Sequence, residues 1–203
     1  MLSQGKAVVF DVGRVLYHWQ LRALFEKLIE DSEELDWFLA HVVTEEWHFE
    51  HDRGRPLSAM VPERIALFPD YEEHIRAYAA RFNETVPGPV DGSHELVCRL
   101  HEKGVPLFCL TNFGDEFWEG FRPTAPIFDR FDDVIVSGVE KVAKPSPRIY
   151  QIVEERSGRG GADLFFTDDN PANVEAARAR GWDAHVFTDA SALEGQLIAS
   201  GFL

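Results

Sequence analysis

The sequence predicts an α/β fold, a doubly wound parallel sheet carrying an inserted helical subdomain. Three observations lead there. From residue 88 onward, short apolar runs alternate with segments of helical spacing. A separate apolar run, Lys6-Ala-Val-Val-Phe10, stands at the start of the chain. Between the two, residues 18–87 show helical spacing and no β run.

Lys6–Phe10 is β-branched and stops at Asp11, the pattern of a strand buried on both faces. Asp11-Val-Gly-Arg-Val-Leu16 follows, with Gly13 offering freedom for a sharp turn. Leu21–Glu30, Glu33–Thr44, Leu57–Leu67 and Glu72–Asn83 place apolar residues three and four apart and read as helices. Leu16–Trp19 and Thr85–Val90 read as linkers, the second stiffened by Pro87-Gly-Pro89. The division expected is therefore a core of residues 1–17 and 88–203 and a helical cap of residues 18–87. Beyond the cap, Glu95–His101 is helical and stops at Gly104. Val105–Leu110 reads as a strand ending at Thr111-Asn112, Gly114–Phe121 as a short helix and Asp133–Val136 as a strand. Ser146–Arg156 is helical, with Pro147 suited to a first turn. Leu164–Phe166 is a strand running into Thr167-Asp168-Asp169, and Pro171–Arg180 is a helix closed by Gly181. Trp182–Phe187 and Ala190–Ser200 complete the series as strand and helix. Right-handed crossovers then place ligands beyond the carboxyl ends of the strands, where Asp11, Thr111 and Asp168 fall.

Composition narrows the function. Of 203 residues, 35 are Asp or Glu and 20 are Lys or Arg, a formal charge of −15. That balance, with no basic run, argues against nucleic acid and against an anionic membrane surface. No apolar stretch approaches the ~20 residues that span a bilayer. Met1–Lys6 lacks a signal-peptide pattern, and two cysteines, Cys98 and Cys109, read as buried thiols, so a cytoplasmic setting is expected. Phosphate-binding P-loop, zinc-ligand and Gly-x-Ser-x-Gly patterns are absent. Gly158-Arg-Gly-Gly161 lacks the setting of a dinucleotide fingerprint.

Four polar groups close successive segments: Asp11, Thr111-Asn112, Lys144-Pro145 and Asp168-Asp169. Each alone is an ordinary cap or turn. Together, and in this order, Val9-Phe-Asp-Val-Gly-Arg-Val-Leu16, Leu110-Thr-Asn112, Val142-Ala-Lys-Pro-Ser-Pro-Arg-Ile-Tyr150 and Phe165-Phe-Thr-Asp-Asp-Asn-Pro-Ala-Asn173 resemble the motifs of the haloacid dehalogenase superfamily of hydrolases. The resemblance spans the chain, with the cap between the first two motifs as in helical-cap members. It implies a Rossmann-like core and Asp11 as a nucleophile that becomes an aspartyl-phosphate. It implies Mg²⁺ held by the Asp11 carboxylate, the Gly13 carbonyl and the Asp168-Asp169 pair, with Asp169 the preferred direct ligand. Thr111 and the Asn112 backbone N–H would bind phosphoryl oxygens, and Lys144 would neutralise the charge on Asp11 and the transferring group. The chemistry agrees: a carboxylate attacks phosphorus, and two anionic reactants need a hard cation between them.

One departure stands out. Superfamily phosphatases usually carry a second aspartate two residues after the nucleophile, and this chain has Gly13 there. Gly13 and His51-Asp-Arg-Gly54 resemble a branch that includes bacterial α-glucose-1-phosphate phosphatases. The general acid, worth ~10²–10⁴-fold in rate, is thus unassigned. Arg14 and His18 follow Asp11. Arg14 suits an anionic substrate and His18 a proton transfer, unless they are a surface loop residue and a helix start. Trp47, His48, His51 and Arg53 form either a cluster closing over substrate or a packed helix end with a solvated turn. Three functions result. The first is a Mg²⁺-dependent phosphatase of small phosphorylated metabolites, sugar phosphates by resemblance to the branch. The second is a 2-haloacid dehalogenase using Asp11, and the third a binding protein that has lost turnover. The dehalogenases resembled here carry a bulky aromatic in place of Gly13 and uncharged residues in place of Asp168-Asp169, so both positions favour the phosphatase.

Overall fold

The computed structural model describes residues 5–203. Met1–Gln4, part of the segment read as free of a signal-peptide pattern, lie outside the described residues. In chain order the elements are β1 (Ala7–Phe10), β2 (Tyr17–His18), α1 (Arg22–Phe25), α2 (Ser32–His41), α3 (Glu45–Asp52), α4 (Leu57–Leu67) and α5 (Glu72–Ala80). Next come β3 (Gly88–Pro89), α6 (Ser93–Glu102), β4 (Leu107–Thr111), α7 (Asp115–Phe121), β5 (Asp133–Val136) and α8 (Ser137–Glu140). The chain closes with α9 (Pro147–Ser157), β6 (Leu164–Asp168), α10 (Pro171–Arg178), β7 (Asp183–Val186) and α11 (Ala190–Ala199).

Five strands form a parallel sheet in the order β5-β4-β1-β6-β7. β1 is its centre: Val9 pairs with Phe108 on one side and Phe166 on the other. All four β1 side chains are buried, which explains the unbroken apolar run. Ala7 and Val9 pack with Ile149, Tyr150 and Val153 of α9 and Val174 of α10. Val8 and Phe10 point to the other face, toward Leu96 and Leu100 of α6 and Leu197 of α11. The predicted doubly wound sheet is therefore present. Among the described residues, no helix is long and apolar enough to cross a membrane.

α1–α5 lie between β2 and β3, and form a helical cap over the carboxyl edge of the sheet. β2 and β3 pair antiparallel, Tyr17 with Pro89 and His18 with Gly88. The two stretches read as linkers thus form a ribbon, a long-range pairing that local spacing does not reveal. His18 lies exposed on this ribbon rather than starting a helix. Leu21–Glu30 contains only the single α-turn of α1 and continues in tight turns such as Lys27 N–H to Leu24 O. α3 was hidden because its buried residues include His48, His51 and Asp52, so its inward face does not read as apolar. Thr44 caps it by accepting from the Trp47 N–H at 3.1 Å. Cys109 is buried as expected, whereas Cys98 is only half-buried.

The cap is seated on the core by aromatic and polar contacts. The Phe82 ring stacks on Phe117 of α7 at 3.8 Å. Ser137 Oγ, which accepts from the Phe113 N–H at 3.0 Å, donates to the Asp52 carbonyl at 2.5 Å. The Leu57 N–H donates to Glu116 of α7 at 2.9 Å. Gly114 makes room for this docking, because a Cβ there would strike the His51 imidazole. Gly114→Ala should therefore cost about 1–3 kcal/mol of stability, the usual range for overpacking. A urea titration checks it, and an unchanged midpoint would mean that the ring is free to move aside.

Candidate active site

Asp11 leaves the end of β1 and its N–H donates to Thr167 O of β6 at 3.0 Å. The chain then turns tightly, with Leu16 and Tyr17 N–H groups both donating to Val12 O at 2.9 Å. The left-handed residue of this turn is Arg14 (φ 61°), not Gly13. The turn freedom expected of Gly13 is not used. A Cβ at Gly13 would meet no atom closer than Trp19 Cβ at 4.0 Å, so the glycine leaves open space beside Asp11.

Lys144 is the hub. Its Nζ lies 2.7 Å from Asp11 Oδ1 and 2.6 Å from Asp168 Oδ2, and donates to Leu110 O at 2.8 Å. The side chain is 1% exposed. Burial alone lowers a lysine pKa, but the carboxylates of Asp11 and Asp168 outweigh it and keep the ammonium charged. The Asn112 side chain fixes this lysine by bonding its backbone twice, Nδ2 to Lys144 O at 3.1 Å and Oδ1 from the Lys144 N–H at 2.8 Å. Asp168 is fully buried and accepts from the Asn170 N–H at 2.8 Å and from Asn173 Nδ2 at 3.0 and 3.1 Å. Asp169 is partly exposed, with Arg14 Nη1 4.0 Å from its Oδ2.

One carboxylate oxygen from each of Asp11, Asp168 and Asp169 lies within 4.8 Å of the others. Burial, then the charges of Asp168 and Asp169, push Asp11 up to about 7 against the pull of Lys144. Asp169 is raised by burial and by Asp168. Three carboxylates around one lysine leave an excess of negative charge on hard oxygen donors. A divalent cation such as Mg²⁺ fits that donor set. Asp169, with its oxygens free of hydrogen bonds from the lysine, is better placed to ligate directly than Asp168, whose oxygens are already bonded.

Asp11, Gly13, Arg14, Asn112, Lys144 and Asp169 line a single cavity of about 190 Å³. Thr111 and Asp168 do not line it. Thr111 is buried behind the wall, its hydroxyl 3.4 Å from Asn112 O. The cap closes the other side with Trp19, His48, Phe49, Asp52 and Phe82. His48 is the member of the polar-aromatic cluster that reaches the cavity. Its ring stacks on Trp19 at 4.8 Å, and its Nδ1 lies 2.7 Å from Tyr78 Oη. Burial, then the neighbouring His51 and Arg14, lower it to about 3, so it is a neutral imidazole. Trp47 and His51 are packed away from the cavity, and exposed Arg53 lies over Phe49 at 4.3 Å. Arg14 stands at the mouth, its guanidinium 4.9 Å over Trp19 and 2.5 Å from Glu45 of α3. Sequence reasoning overlooked Asp52 as a cavity residue. The available signal was an acid one helical turn after His48, on the same face.

A carboxylate cluster at the carboxyl edge of a parallel sheet, roofed by helices inserted after the first strand, marks a hydrolase site on a capped, doubly wound core. The chain belongs to the haloacid dehalogenase-like hydrolase family, whose model matches residues 6–181. It is 27% identical over 197 residues to a sesquiterpene phosphatase of Aspergillus oryzae, covering 95% of this chain and 94% of that protein. It is 26% identical over 195 residues to acyl-CoA dehydrogenase family member 10 of Mus musculus, covering 87% of this chain but only 17% of that protein. Among solved structures, a haloacid dehalogenase family enzyme of Bacteroides thetaiotaomicron in complex with magnesium and inorganic phosphate superposes with a TM-score of 0.67. It is 21% identical, with 91% of this chain and 94% of that one covered. An L-2-haloacid dehalogenase of Xanthobacter autotrophicus superposes with a TM-score of 0.60 at 20% identity, covering 98% and 85%.

Proposed function

We propose that the chain is a Mg²⁺-dependent phosphatase of small phosphorylated substrates, acting through an aspartyl-phosphate on Asp11. The observation that carries this reading is the acidic pair Asp168-Asp169 at the end of β6, set against Asp11 with Lys144 between Asp11 and Asp168. A dehalogenase displacing halide from carbon has no use for that excess charge, whereas phosphoryl transfer through a cation does. The magnesium and phosphate complex of the Bacteroides neighbour and the phosphatase relative support the same choice.

Asp11 attacks phosphorus in line, and water later cleaves the acyl phosphate. Lys144 holds the Asp11 carboxylate in place and offsets the charge of the transferring group. Asp168 orients Lys144, and Asn112 sets the backbone from which that lysine projects. Arg14 binds phosphoryl oxygens by exchanging its Glu45 contact for them. Bound by Asp11, the Gly13 carbonyl and Asp169, Mg²⁺ would supply the charge screening that lets two anions meet. The cavity beyond is walled by Tyr17, Trp19, Phe49, Phe82, Phe113 and Phe121. Those walls favour an ester with an apolar body over a sugar ring, in keeping with the relative's sesquiterpene substrate.

Phosphate release from p-nitrophenyl phosphate tests the reading. Turnover should vanish in EDTA and return with added Mg²⁺, and activity indifferent to EDTA would refute the metal. Chloride release from 2-chloropropionate without phosphatase activity would favour the dehalogenase. Phosphate binding with no release from any ester would favour the binding protein.

A further inference from the structure

In-line attack places the departing oxygen on the side of phosphorus opposite Asp11, which in this fold is the cap side. An alkoxide leaving there needs a proton, and few groups in the cavity can give one. Lys144 lies on the nucleophile's side, its Nζ surrounded by three oxygens. Arg14 does not release a proton at any working pH. His48 is neutral, and burial raises the Tyr17 phenol further. Asp169 faces the Asp11 carboxylate among the residues assigned to the cation. Asp52 alone remains.

Asp52 is 4% exposed and lines the cavity from the end of α3. Its Oδ1 is buried with no hydrogen-bond partner, and its Oδ2 lies 3.4 Å from His48 Nε2. Ser137 holds its backbone carbonyl, so the side chain projects from a position pinned to the core. We propose that Asp52 is the general acid and base of the reaction, giving a proton to the departing oxygen and taking one back from the attacking water.

This rests on the phosphatase reading above. The exchange balances: Asp11 Oδ bonds to phosphorus, the ester P–O bond breaks with its electron pair on the leaving oxygen, and the Asp52 proton converts that oxygen to the alcohol. Water then attacks the aspartyl-phosphate, Asp52 accepts its proton, and free phosphate and the Asp11 carboxylate are restored. The surroundings favour the protonated start. Burial raises Asp52 to about 8; the Gly114 N–H and the Lys144 charge pull it down, and the Asp11 charge pushes it up. Tyr78 also feels the Asp52 charge, and His48, 3.4 Å from Asp52 Oδ2, is uncharged.

The experiment compares Asp52→Asn with wild type on two esters in Mg²⁺. Hexyl phosphate has a poor leaving group that needs the proton, and 2,4-dinitrophenyl phosphate has one that does not. The variant should lose roughly 10²-fold or more in kcat/KM on hexyl phosphate, the scale of general acid catalysis. On the dinitrophenyl ester it should keep a burst of about one dinitrophenolate per enzyme at near wild-type rate, followed by slow release of phosphate. Unchanged turnover of hexyl phosphate, or an equal loss in the burst, overturns the assignment. A wild-type series of aryl and alkyl phosphates needs no variant. A weak dependence of kcat/KM on leaving-group pKa supports the acid, and a steep one overturns it. If wild type shows neither burst nor turnover, the phosphatase reading itself fails and takes this proposal with it. A wild-type burst beside an unaffected variant sinks Asp52 alone.

Discussion

Asp11→Asn should abolish phosphate release, with kcat falling by roughly 10³-fold or more, the scale seen when a covalent nucleophile is removed. Asparagine keeps the shape of the side chain but cannot attack phosphorus or carry an acyl phosphate. The fold should survive. Burial and two acidic neighbours hold Asp11 up to about 7 in the folded protein, against 3.8 as the ordinary value. A raised carboxylate pKa disfavours the ionised folded form, so it costs stability as pH climbs above the unfolded value and reaches its full cost near the folded one. Removing that charge should leave the variant melting, in EDTA at pH 8, no lower than wild type. Differential scanning calorimetry beside the assay separates lost chemistry from lost structure. An Asn variant that turns over at the wild-type rate would end the case for a nucleophile at this position.

Lys144→Met should fail in both assays. Methionine fills much of the volume but removes the one ammonium shared by Asp11 and Asp168. Breaking a buried ion pair by deleting one partner costs about 3–5 kcal/mol, because the remaining charge has neither water nor counter-ion. Here two carboxylates are left facing each other. The variant should therefore melt well below wild type in EDTA and show no phosphatase activity at any Mg²⁺ concentration. Retained activity with a lowered melting temperature would mean that Lys144 is a structural residue only.

The contrast between these two side chains shows what could be seen in the sequence. The sheet was legible because β1 is buried on both faces, so its apolar run is continuous and stops where the polar edge begins. Asp11 and Asp169 were legible for the same reason, each following a strand whose end is marked, whereas Lys144 stands in the loop between α8 and α9 and was legible only through its motif. α3 was not, because its inward face carries imidazoles and a carboxylic acid that local pattern scores as surface. The environment that makes Asp52 distinctive is supplied by residues far along the chain, Gly114 and Ser137 among them. The Asn112 side-chain bonds to the Lys144 backbone were hidden for a related reason, since they join residues far apart in the chain. The β2–β3 ribbon depends on two dipeptides meeting across the whole cap, which no local window contains.

The central place of β1 bears on how the molecule is made. On the ribosome, β1 precedes both strands that flank it, β4 and β6, and the whole cap is made before either. Until β6 has been synthesised, β1 presents an open apolar edge, a species prone to mispair with other nascent chains. Truncated or stalled products should therefore be chaperone clients rather than partly active enzymes, and assembly should wait on the slow closure of distant contacts.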